Sequence, residues 1–171
     1  EVCQKYFPQL GKWDDARLTV LIEDARQYVF STSEVFDVII MDSTDPLPRG
    51  VAEPLFTPEF FAQAFRCLSP QGIMVSQMEP PFFDVDRVQK LWKGFGAFPI
   101  VNLYWGLVPT YPGGIWSYVI ASKSPDPREQ KRLPSFPTRY YSPAIHQAAF
   151  VLPPFLEEML KKQKEDEGSF S

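Results

Sequence analysis

The stretch FDVIIM at 36–41 constrains this chain more than any other segment. It is apolar at all but one position and β-branched at its centre, which predicts a short buried strand. It runs directly into Asp42-Ser43-Thr44-Asp45-Pro46 and a Pro- and Gly-rich loop that continues to residue 56. A second apolar run, LTVLIE at 18–23, reads as another buried strand and ends in Glu23-Asp24. A third, GIMVSQ at 72–77, follows the turn signal Ser69-Pro70-Gln71-Gly72.

Helical patterns separate these runs. Asp24 starts one in DARQYVF. Thr57 followed by Pro58 is an N-cap hydroxyl and a first-turn proline, with Phe60, Phe61, Ala64, Phe65 and Leu68 forming one apolar face. Asp84 caps another helix, with Val85, Val88, Leu91, Trp92 and Phe95 facing inward. Strand and helix thus alternate from 18 to 98, which implies a mostly parallel sheet with helices on its faces. Two further strands, 99–108 and 115–122, are joined by the short segment 109–114 and are expected to be antiparallel. A parallel sheet that ends in an antiparallel hairpin is the pattern of the methyltransferase-like Rossmann variant. Residues 1–7 read as the end of a helix, 123–138 as a polar linker and 153–164 as a terminal helix. The expected domain is 1–164, with a frayed tail at 165–171.

Composition narrows the function classes. The chain has 171 residues and a net charge of −4, with no concentrated basic face, so a nucleic-acid partner is not expected. It has two cysteines and one histidine. Cys3 and Cys67 have no metal-ligand spacing and are expected to be buried, inert thiols. No metal site and no membrane partner are expected, since no apolar run reaches the ~20 residues of a membrane span. A cytoplasmic setting follows as the default. The chain opens on Glu1, inside a helical pattern, as though a further segment precedes it.

In open α/β sheets, ligands bind beyond the carboxyl ends of the strands. Those ends carry Glu23 and Asp24, Asp42 and Asp45, and Gln77 and Glu79; the loop 109–114 adds Thr110 and Tyr111. Each has an ordinary reading: Asp24 as a helix cap, Asp42 or Asp45 as a turn cap, Gln77 and Glu79 as solvated groups, Tyr111 as packing. Together they line one sheet edge with acids and an amide, which suits a positively charged substrate.

Three segments in order carry a resemblance: FDVIIMDSTDP (36–46) with LF at 55–56, PTYPGGIWSYVIAS (109–122) and RYYSPAIHQAAFVLP (139–153). They resemble the polyamine aminopropyltransferases of the spermidine-synthase type, and the likeness runs from residue 1 to about 160. The resemblance implies transfer of an aminopropyl group from decarboxylated S-adenosylmethionine to a diamine, typically putrescine, by a homodimer or homotetramer. It implies no metal and no tightly bound cofactor. Asp42 would be the base that takes the proton of the attacking amine, and Tyr111 would hold or relay that hydrogen bond. Asp45, Gln77, Glu79 and Trp116 would bind the diamine. Asp24, with Ala25 beside it and Glu23 as companion, would contact the nucleoside, as would Ser43, Val51, Pro54 and Leu55 of a loop that orders over substrates. That loop departs from the family pattern: PLPRGVAEP is about two residues longer than PIGPAES, and Val51 falls near a proline of other members. His146 falls in a terminal motif whose role is structural.

The Gly-rich GGGDG turn of the family's donor site, and the acid that follows its second strand, are not in these residues. The chain therefore resembles the C-terminal part of a synthase whose remainder is a preceding segment or another polypeptide. Two other classes stay open from sequence: a non-catalytic or dimerisation module of the same fold, and an S-adenosylmethionine-dependent methyltransferase.

Overall fold

The computed structural model describes the backbone of residues 1–130 and 132–168, and the side chains of these as far as Lys161. Residues 169–171, the end of the expected tail, lie outside the described residues. Four strands form one sheet: β1 (Phe36–Met41), β2 (Leu68–Gln77), β3 (Ile100–Leu107) and β4 (Ile115–Ser122), in the order β1-β2-β4-β3. β1 and β2 are parallel; β4 is antiparallel to both β2 and β3. The parallel step needs a crossover, which α3 (Pro58–Arg66) supplies. The β3–β4 hairpin needs a tight return, and Gly113 (φ 79°) and Gly114 (φ 67°) provide left-handed backbone there.

Helix starts are local and follow the sequence. Thr57 Oγ1 accepts from Phe60 N–H at 3.2 Å ahead of Pro58. Asp84 caps α4 (Val85–Lys93) through Arg87 N–H. Phe60, Phe61 and Ala64 of α3 and Val88 and Leu91 of α4 are buried together with Met74, Leu103, Val119 and Ala121. Met74 pairs with Ala121, and Leu103 with Val119, so these four share the sheet face that the core fills. Phe61 stacks on Phe95 with ring centroids 4.0 Å apart. Leu156 and Met159 of α6 (Pro154–Gly168) close this side. The opposite face carries Trp116, Tyr118 and Tyr104, and α5 (Pro143–Ala149) leads into Phe150, which meets Tyr104 at 5.7 Å.

Three sequence expectations need correction. Residues 18–23 are not a strand: a strand needs a hydrogen-bonded neighbour, none of the described strands lies beside them, and Ile22 is 98% exposed. The segment 69–72 is not a turn but part of β2; the pairing jumps from Phe36↔Leu68 to Val38↔Ile73, so the extra residues form an irregularity within the strand. Cys3 is exposed, because α1 (Val2–Tyr6) buries none of its residues; Cys67 is buried as expected. Among the described residues no helix is long and apolar enough to cross a membrane.

Candidate functional site

The sheet register sets the site. Met41 is paired with Ser76, so the next residues, Asp42 and Gln77, leave β1 and β2 side by side. Gln77 is paired across to Tyr118, and Tyr118 to Tyr104. Asp42, Gln77, Tyr118 and Tyr104 therefore form one transverse row at the carboxyl end of the parallel pair. Trp116, two residues before Tyr118, shares its face.

Gln77 is the best-fixed polar group in this row. It is buried, its Nε2 donates to the Ser43 carbonyl at 3.3 Å, and its Oε1 accepts from Trp116 Nε1 at 3.0 Å. The loop after β1 is thereby tied to β2 and β4. The Trp116 ring meets the Tyr111 ring at 4.7 Å, which brings the hairpin loop onto the same wall. The backbone of Tyr111 closes a turn, with its N–H donating to Val108 O and its carbonyl accepting from Gly114 N–H.

Glu79 is buried beyond Gln77. Its carbonyl accepts from Ser117 N–H at 3.2 Å and from Ser117 Oγ at 2.5 Å. Its carboxylate accepts from Arg87 Nη1 at 2.9 Å, and Arg87 Nε lies 3.1 Å from Asp84 Oδ2. Burial pushes the Glu79 carboxyl above its ordinary value, Arg87 opposes this, and the charges of Asp45 and Asp84 add to it. Asp45 is thus within electrostatic reach of both Glu79 and Arg87. Burial also pushes the Tyr104 phenol up to about 12. The Tyr118 phenol is raised by burial, then by Asp42, Tyr111 and Tyr140.

The structure therefore brings together Asp42, Ser43, Asp45, Gln77, Glu79, Tyr111 and Trp116. Glu23, Asp24 and Ala25 form a second group, where Asp24 caps α2 (Ala25–Ser31) by accepting from Arg26 N–H at 2.8 Å and Gln27 N–H at 3.1 Å. α2 lies against the short 3-10 turn Glu53–Leu55, which holds Pro54 and Leu55. Leu55 packs on the core, whereas Val51 is 94% exposed and makes no wall. Arg49 N–H donates to Glu53 Oε2 at 2.7 Å, which gives the intervening loop a closed form. His146 sits apart: a ring nitrogen is 3.0 Å from Pro127 O, and the ring packs edge-on against Tyr141 and Phe150.

Sequence reasoning did not single out Arg87 or Tyr118. Arg87 carried a weak signal, a cation three residues after the capping Asp84. Tyr118 carried a stronger one, since period-two alternation puts it on the face of Trp116.

The sequence profile of the Spermine/spermidine synthase domain matches residues 1–131. The polyamine aminopropyltransferase of Moorella thermoacetica is 44% identical over 168 residues, covering 96% of this chain and 59% of that protein. That of Caldicellulosiruptor bescii is 41% identical over 165 residues, covering 94% of this chain and 59% of its own length. A crystal structure of spermidine synthase in complex with the transition state analogue AdoDATO superposes with a TM-score of 0.82 at 34% identity, over 94% of this chain and 57% of that one. The spermidine synthase of Thermotoga maritima gives 0.79 at 33% identity, over 94% and 56%. The chain spans 59% of the length of the two curated relatives it matches here.

Proposed function

The chain belongs to the spermine/spermidine synthase domain family, and from that premise we propose that it transfers an aminopropyl group from decarboxylated S-adenosylmethionine to putrescine, giving spermidine and methylthioadenosine. The observation that carries this reading is the row of Asp42 and Gln77 at adjacent strand ends, with Trp116 hydrogen-bonded to Gln77 and the Tyr111 ring packed at a tilt against Trp116. A diamine is two cationic ends joined by methylenes. It suits acids and amides placed along an aromatic wall.

The acceptor nitrogen resembles a lysine amine, with an ordinary pKa of about 10.4, so it must lose a proton before it can attack. Asp42 takes that proton, and Tyr111 orients the amine by hydrogen bonding. The nitrogen lone pair then attacks the methylene carbon next to the sulfonium. The C–N bond forms as the C–S bond breaks, and the bonding pair returns to sulfur as the neutral thioether. Holding nitrogen, carbon and sulfur in line supplies much of the acceleration. Asp45 and Gln77 hold the far end of the diamine. Asp24, with Ala25 and Glu23, receives the nucleoside of the donor, and Ser43, Pro54 and Leu55 cover it. The donor is a co-substrate that leaves as product, so no tightly bound cofactor is part of the reading. A homodimer or homotetramer in the cytoplasm completes it.

Asp42→Asn tests the assignment. Turnover should fall by at least ~10² while amine binding and the fold persist. Turnover close to that of the unaltered protein would remove Asp42 from the mechanism.

A further inference from the structure

Glu79 is an acid that the acceptor site cannot use freely. Its side chain is 7% exposed, so its charge needs a partner, and the partner is internal: Arg87 Nη1 lies at 2.9 Å. Arg87 is held from the other side by Asp84 at 3.1 Å, and its side chain is 30% exposed. The Glu79 main chain is fixed as well, because both the N–H and the hydroxyl of Ser117 donate to its backbone carbonyl. A substrate ammonium brought to the Glu79 carboxylate would meet a guanidinium already seated there, and two cations at one carboxylate repel.

We propose that Arg87 is a specificity-determining residue of the acceptor site: its guanidinium fills the place beside Glu79 that the far ammonium of a diamine would otherwise take. Discrimination between a diamine and a monoamine of the same length then rests on Asp45 and Gln77 alone. The inference depends on the reading of this corner as an amine-acceptor site. It adds that one acid there is cancelled by a residue of α4, an element outside the sheet whose strand ends carry the other site groups. Asp45 and Asp84 are the remaining charged groups acting on the pair.

The test is calorimetric binding of putrescine and of n-butylamine to the unaltered protein, to Arg87→Met and to the double variant Glu79→Gln/Arg87→Met. The putrescine-to-butylamine affinity ratio should rise about tenfold in Arg87→Met, the scale of one freed charge partner. It should return to the original ratio in the double variant. The double variant also removes the buried unpaired acid, so it reports even if the single variant folds poorly. An unchanged or lower ratio in Arg87→Met overturns the proposal. So does a raised ratio that survives loss of Glu79, or the absence of amine binding in all three proteins. Amine binding with the predicted ratios but without aminopropyl transfer would count against the transferase reading alone.

Discussion

Gln77 and Trp116 are locked to one another across the sheet: the indole N–H donates to the amide oxygen at 3.0 Å, and both residues are buried. The other end of the same amide donates to the Ser43 carbonyl, so a single side chain joins the loop after β1 to the hairpin strand β4. Trp116→Phe keeps the aromatic wall but leaves Gln77 Oε1 without its donor. An unsatisfied buried acceptor costs about 1–3 kcal/mol. Urea unfolding should register that loss, together with weaker amine binding. A variant as stable as the original would mean that this bond contributes nothing to the site.

Glu79 gives the site a pH signature. Its folded pKa is raised above the ordinary 4.5, chiefly by burial. The folded protein therefore holds this proton more tightly than the unfolded chain. The contribution of Glu79 to stability is most favourable below about 4.5 and is lost as pH rises through the raised folded value. Glu79→Gln has no such proton. The unfolding free energy of Glu79→Gln minus that of the original protein should grow more positive as pH increases from about 4 to neutrality. A difference that is flat or falls across that range contradicts the assignment.

Much of this architecture was legible because its signals are local. Thr57-Pro58 starts α3, Asp84 starts α4, and β4 spans 115–122 as its pattern indicates. Residues 18–23 misled because a β-branched run becomes a strand only when another strand pairs with it. Residues 69–72 misled because turn chemistry can also be absorbed as an irregularity in a ladder, and here Gly72 packs so closely on Leu68 that a Cβ would lie 2.7 Å from the Leu68 Cβ. The candidate acids were legible as strand-end residues. Their partners were not: Arg87 reaches Glu79 from a different element, and Tyr118 meets Asp42 only through the sheet register.

The single histidine is predicted to be dispensable for chemistry. Its ring contacts Pro127 O, Tyr141 and Phe150, and none of the strand-end acids. His146→Gln should keep kcat within about twofold and lose about 1 kcal/mol of stability with the ring packing and its hydrogen bond. A fall of ~10² in kcat with an unchanged fold would instead make it a general acid–base group.

The two thiols should behave differently. Cys3 is exposed, whereas Cys67 is buried, its Sγ 3.5 Å from Val29 O, and burial pushes its thiol above its ordinary value. Because the thiolate is the nucleophile, brief maleimide treatment of the native protein should label Cys3 and spare Cys67 until the chain is unfolded. Peptide mass spectrometry reads the site. Equal labelling of both in the native state would place Cys67 at the surface.

The central claim is the transfer itself, and mass-spectrometric detection of product is its most direct test. Supplied with putrescine and decarboxylated S-adenosylmethionine, a protein that carries these residues together with the family's Gly-rich donor turn should form spermidine and methylthioadenosine in equal amounts, with no product when S-adenosylmethionine replaces the decarboxylated donor. Methyl transfer from S-adenosylmethionine, or putrescine bound but never converted, would contradict the account.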